Sequence, residues 1–143
     1  MDYREVDGTR EFVCRLAHGA DWRGEIESLA REEDIDSAFF VALGAVTEAT
    51  IFFYDQDETT YEPVRFEEPF EVAACLGNVS LLEGEPFAHT HAVLSRADGS
   101  TVAGHLDSAR VFAGECYVRA FDVPLERAHD ATTELDLWDF DAA

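Results

Sequence analysis

Lysine is absent from this 143-residue chain. All ten basic residues are arginine, and they stand against 31 aspartates and glutamates, for a formal net charge of −21. Nucleic-acid binding draws on clustered Lys and Arg to displace counterions from phosphates, and the sequence has no such cluster. No apolar run reaches the roughly 18 residues that a membrane-crossing helix needs. The opening Met1-Asp2-Tyr3-Arg4-Glu5 has no apolar stretch of signal-peptide kind, so the expected location is the cytosol. An acidic excess of this size repels itself unless salt screens it. A high-salt cytosol, where a carboxylate-rich surface stays hydrated, accounts for both the charge and the missing lysines. A merely acidic protein at ordinary salt accounts only for the charge.

Other features are scarce as well. The three cysteines, Cys14, Cys75 and Cys116, are odd in number and share no CxxC spacing. They read as reduced, packed thiols rather than a disulfide framework. There are no repeats, no low-complexity stretches and no Pro/Gly/Ser linker, so residues 1–143 are expected to form one domain.

What is present is a globular composition, 47% apolar and 12% aromatic, enough for a core in a chain of this length. Residues 10–16 alternate Phe12, Cys14 and Leu16 against Val13 and Arg15, which predicts a strand. Asp21 has the chemistry of a helix N-cap. Trp22, Ile26, Leu29 and Ala30 then recur at helical spacing to about Glu33, the one main helix. Strands are predicted at 38–46 (with Gly44 marking a bulge or a close backbone approach), 50–54, 70–80, 87–95, 100–106, 111–123 and 135–140. The fold class is therefore α+β, one helix with a largely antiparallel sheet of seven or eight strands.

The segment 87–95, Phe-Ala-His-Thr-His-Ala-Val-Leu-Ser, holds the clearest chemistry. Residues two apart on a strand share a face, so His89 and His91 point together, a common way to present two imidazoles to one metal ion. A three-residue loop Ala97-Asp98-Gly99, with Gly99 left-handed, pairs Arg96 with Ser100. Counting back, Ser95 faces Thr101, Val93 faces Ala103, His91 faces His105 and His89 faces Asp107. Cross-strand Cβ atoms lie roughly 5 Å apart, within chelating reach. A two-residue turn would send His105 to the other face. The triad reads as a metal site, zinc with an open position or another divalent transition metal. The alternative is a set of polar residues lining a pocket or a subunit interface.

Glu71 is the only charge in a strand that reads as apolar on both faces, and buried carboxylates are paired, hydrogen-bonded or metal-bound. It is the candidate catalytic residue, as general base, and otherwise a fourth ligand, a partner of a histidine or a structural hydrogen-bonding group. Asp107 reads as a solvated loop carboxylate, His18 and His129 as exposed loop residues, and the cysteines as core.

Glu68-Pro69-Phe70-Glu71-Val72, Leu76-Gly77-Asn78-Val79-Ser80, His89-Thr90-His91-Ala92-Val93-Leu94 and Gly104-His105-Leu106 together resemble the plant and prokaryote conserved (PPC) domain, in its order and spacing. Ala42-Leu43-Gly44-Ala45-Val46 is similar to its glycine-containing strand, and Gly19-Ala20-Asp21-Trp22 to its helix start. The resemblance covers about residues 8–125 and leaves an acidic segment at 126–143. It implies a homotrimer, a metal on His89, His91 and His105, and a fold similar to that of acetolactate decarboxylase, a zinc enzyme. Ala103 replaces the first glycine of the family's G-G-H. No Arg-Gly-Arg-Pro AT-hook is present, the segment by which plant members grip the DNA minor groove.

The leading expectation is a metal-binding PPC protein with a ligand-binding or regulatory role. The alternative is a zinc-dependent lyase or decarboxylase on a small oxo or hydroxy acid, with Glu71 moving protons and Arg96, Arg110 and Arg119 the nearest candidates to clamp a substrate carboxylate. DNA binding is the third reading, and the charge weighs against it.

Overall fold

The computed structural model describes residues 1–141. The elements run β1 (Gly8–Leu16), α1 (Trp22–Glu32), β2 (Ala38–Asp55), β3 (Thr60–Phe66), β4 (Phe70–Leu82), β5 (Glu85–Ser95), β6 (Thr101–Phe121), β7 (Glu126–Asp130) and β8 (Leu135–Asp139). They give one helix and one eight-stranded sheet. All strand pairs are antiparallel except β4–β7, a single parallel bridge from Leu81 to Glu126. The α+β class holds.

Two pairs of expected strands are continuous. β2 and β6 keep their ladder through irregularities at Ala45/Val46, Val46/Glu48 and Thr50/Ile51. These bulges absorb polar residues that otherwise read as strand breaks. Because β2 pairs with β4 as well as β6, and β5 joins β4 to β6, the pairings close a circuit. β3 and β7 were not expected: Thr60–Phe66 contains Pro63 and is almost wholly exposed, and Glu126–Asp130 carries little apolar signal.

The helix starts where the cap chemistry places it, since the Asp21 carboxylate accepts from the Gly24 amide at 2.8 Å. Trp22, Ile26 and Ala30 form its buried stripe and join a core with Phe40, Leu94, Leu106, Val111 and Val118. Gly44 has φ +148°, and a Cβ there would lie 2.1 Å from the Ala113 carbonyl oxygen. The close approach is real, and it is what lets β2 stay in register with β6. The cysteines are free thiols; burial pushes Cys75 up to about 11, as expected for packed, unreactive groups. Among the described residues no helix is long and apolar enough to cross a membrane.

Candidate metal centre

The β5–β6 hairpin turns as its sequence requires. The Arg96 amide donates to the Ser100 carbonyl at 2.8 Å and the Gly99 amide to the Arg96 carbonyl at 2.9 Å. Gly99 has φ +83°. Ser95 therefore faces Thr101, Val93 faces Ala103 and His91 faces His105. A slip of one residue would have put His105 on the other side of the sheet.

The three imidazoles meet. Ring centroids of His89 and His91 lie 5.2 Å apart, His89 and His105 5.1 Å, His91 and His105 5.5 Å. One ring nitrogen from each falls within 4.8 Å of the other two. Zinc–nitrogen bonds of about 2.0–2.1 Å place tetrahedral donors about 3.4 Å apart, so small ring rotations complete the chelate. His91 is exposed and the other two are partly buried, which leaves one side open to solvent. Phe52 stacks on His105 at 6.1 Å and Tyr61 lies 5.3 Å from it, both centroid distances.

The chemistry of the three rings fits a divalent metal. Burial, then the charge of Arg127, then the other two imidazoles push His89 down to about 4 from its usual 6.5. Burial leads again for His105, also about 4, with His91 and Arg23 adding to it and Asp107 opposing. Neutral imidazole is the form that ligates. His105 Nδ1 is fully buried with no hydrogen-bond partner, an atom in want of either a proton acceptor or a metal.

Other candidates do not reach the triad. Asp107 was expected opposite His89, but the β5–β6 ladder ends at His91–His105. Asp107 falls in the irregularity where Ile51 pairs with Leu106 and Thr50 with Ser108, so only its charge reaches His105. Glu71 is exposed, not buried. A register shift between Val72 and Ala74 breaks the alternation: Phe70, Val72, Cys75 and Val79 face inward while Glu71 and Leu76 face out. Glu71 pairs with Ser95, four residues along β5 from His91, or roughly 13 Å at a strand rise of about 3.3 Å. Arg96, Arg110 and Arg119 already face carboxylates, Glu68 at 2.9 Å, Glu48 at 3.1 Å and Glu11 at 3.9 Å.

The residue that sequence reading missed is Arg127. The parallel bridge from Leu81 to Glu126 brings β7 beside β4. Arg127 then donates from Nε to Ser80 Oγ at 2.7 Å, from Nη2 to Asn78 Oδ1 at 2.8 Å and from Nη1 to the Asp136 carbonyl at 2.8 Å. Its Nη2 also lies 3.4 Å from His89 Nδ1. The guanidinium carbons of Arg127 and Arg23 sit 5.5 and 5.0 Å from the Phe87 ring centroid. The only signal in the sequence was an arginine inside an acidic segment.

A family model described as the Plants and Prokaryotes Conserved (PCC) domain matches residues 3–122. The chain belongs to this family. Among solved structures, a metal-containing protein from Archaeoglobus fulgidus is 39% identical to this PPC-domain chain, with a TM-score of 0.93 over 96% of this chain and 99% of its own. A PPC protein from Pyrococcus horikoshii is 26% identical, with a TM-score of 0.92 over 97% of each. Acetolactate decarboxylase from Bacillus subtilis subspecies spizizenii is 10% identical, with a TM-score of 0.58 over 81% of this chain and 54% of its own, a likeness of fold alone. The bifunctional protein GlmU from Synechococcus is 30% identical over 98 residues, 68% of this chain; the match spans only 14% of that relative.

Proposed function

We propose that this PPC-domain chain holds one divalent metal, zinc in the first instance, on His89, His91 and His105, and uses the open side of that site to bind a small ligand. The observation that carries the reading is the triad itself: three convergent donors, two held neutral, and one buried nitrogen otherwise without a partner. The metal-containing description of the Archaeoglobus relative supports it. When bound, zinc would supply a +2 charge that three neutral imidazoles leave uncompensated.

The assembly in this reading is a homotrimer. Val13 pairs with Tyr117, Tyr117 with Val41, Val41 with Leu76 and Leu76 with His91. This cross-strand row leaves Val13 86%, Val41 56% and Leu76 54% exposed. An apolar row of that kind calls for a covering surface, and here it ends at the metal site. A high-salt cytosol is the location in this reading, supported by the −21 charge and the absence of lysine.

Metal-dependent lyase or decarboxylase action on a small oxo or hydroxy acid is the second reading, favoured by the exposed side of the triad at His91. In that reading Glu71 is not placed to act at the imidazoles. The charge disfavours DNA as a partner.

Elemental analysis of untagged protein, purified in high salt without chelator, tests the proposal beside a His89→Ala/His91→Ala variant. Close to one zinc per chain, absent from the variant, is the expected result. Wild-type protein that holds no metal and takes up none on addition of zinc overturns it.

A further inference from the structure

Arg127 is a partly buried cation in an acidic chain; none of its hydrogen bonds goes to a carboxylate, and the Asp136 side chain acts on it only through its charge. Its three hydrogen-bond acceptors, Ser80 Oγ, Asn78 Oδ1 and the Asp136 carbonyl, are all neutral. Buried charges are normally paired. With 31 acidic residues available, the exception lies beside the imidazole triad. A guanidinium has five N–H groups. Three go to those oxygens, which leaves one on Nη1 and, on Nη2, the one directed at His89 Nδ1; a carboxylate engages two such groups in a bidentate pair.

The contact with His89 sharpens the need. If His89 ligates through Nε2, the imidazole proton resides on Nδ1. The 3.4 Å approach of Arg127 Nη2 to Nδ1 then sets two donors against each other. An anion beside them accepts from both. Arg23, paired with Glu27 at 3.4 Å, adds its charge at His89 as well.

We propose that Arg127 forms the carboxylate subsite of this metal centre, and that the ligand class is small 2-oxo or 2-hydroxy acids. The inference rests on the metal reading above. The guanidinium is one contact from a metal-binding ring, a reach that suits an acid with its carboxylate and its second oxygen on adjacent carbons. The carboxylate meets Arg127 and the oxo or hydroxyl oxygen faces the three imidazoles.

Calorimetry on the zinc-loaded full chain, in molar potassium chloride, compares lactate with lactamide, which keeps the hydroxyl and the carbonyl and loses the charge. Lactate should bind at least about tenfold more tightly, as a charge-assisted pair implies. Arg127→Gln, with zinc content and melting temperature measured alongside, should lose most of that preference while keeping its zinc. Arg127→Lys should recover part of it. Equal binding of the two probes to wild-type protein, no binding of lactate with zinc in place, or a preference that Arg127→Gln leaves undiminished overturns the subsite and leaves the metal reading standing. Failure of the wild-type chain to take up zinc overturns both. Equal binding of the two probes by wild-type protein overturns the subsite even where a variant does not fold.

Discussion

Arg110 and Arg127 are both held against the same sheet, but Arg110 pairs directly with a carboxylate while Arg127 hydrogen-bonds only neutral acceptors. Arg110 lines a cavity of about 280 Å³ with Asp21, Glu48, Thr50, Arg65, Glu67 and Ser108. There its Nε lies 3.1 Å from the Glu48 carboxylate and its Nη1 donates to the Gly19 carbonyl at 3.2 Å. The Asp21 carboxylate is likewise spent on the Gly24 and Ala109 amides. At the histidines, by contrast, His105 Nδ1 lacks a partner and Arg127 hydrogen-bonds no carboxylate. Concavity alone is a poor guide to chemistry in this molecule; unmet bonding capacity is the better one.

The contrast can be sharpened first by acid, which should act on the triad. His89 and His105 have folded values of about 4 against an ordinary 6.5. Between those limits the unfolded chain binds more protons than the folded one, so stability rises with pH. Metal-free protein should therefore hold its full melting temperature above about pH 6.5 and lose stability as the pH falls toward 4, with no further loss from these two groups below that. A His89→Gln/His105→Gln variant should flatten this part of the profile. A metal-free wild-type profile already flat from pH 6.5 to 4 would contradict the neutral, buried imidazoles.

The smallest effect is expected at the cleft. Arg110 and Glu48 are both about half exposed, and such pairs contribute about 0–1 kcal/mol. Arg110→Gln should lower stability by no more than that and leave zinc content and lactate binding unchanged. A loss of lactate binding in Arg110→Gln would move the ligand site to the cleft and break the comparison.

How much of this was legible in the sequence varies by element. The hairpin register was, because one glycine at position 99 fixes the turn, and the turn fixes which side His105 takes. The helix was, because Asp21 caps it and Trp22, Ile26 and Ala30 keep helical spacing. Glu71 was misread because a register shift at Ala73 reverses the strand's faces, and a bulge has no reliable mark in a run of small apolar residues. Asp107 was displaced for the same reason on β6. Arg127 was out of reach of any local pattern: it arrives through one parallel bridge between Leu81 and Glu126, a contact that periodicity does not encode. Tyr61 came with β3, a strand whose exposed, proline-containing sequence gives no alternation to read.

The measurement that tests the central claim most directly is X-ray absorption at the zinc edge on the loaded full chain. The expected spectrum shows three imidazole nitrogens at about 2.0–2.1 Å with a light oxygen neighbour completing the shell. Sulfur at about 2.3 Å, or a shell of oxygens without imidazole, would place the metal elsewhere and contradict the account.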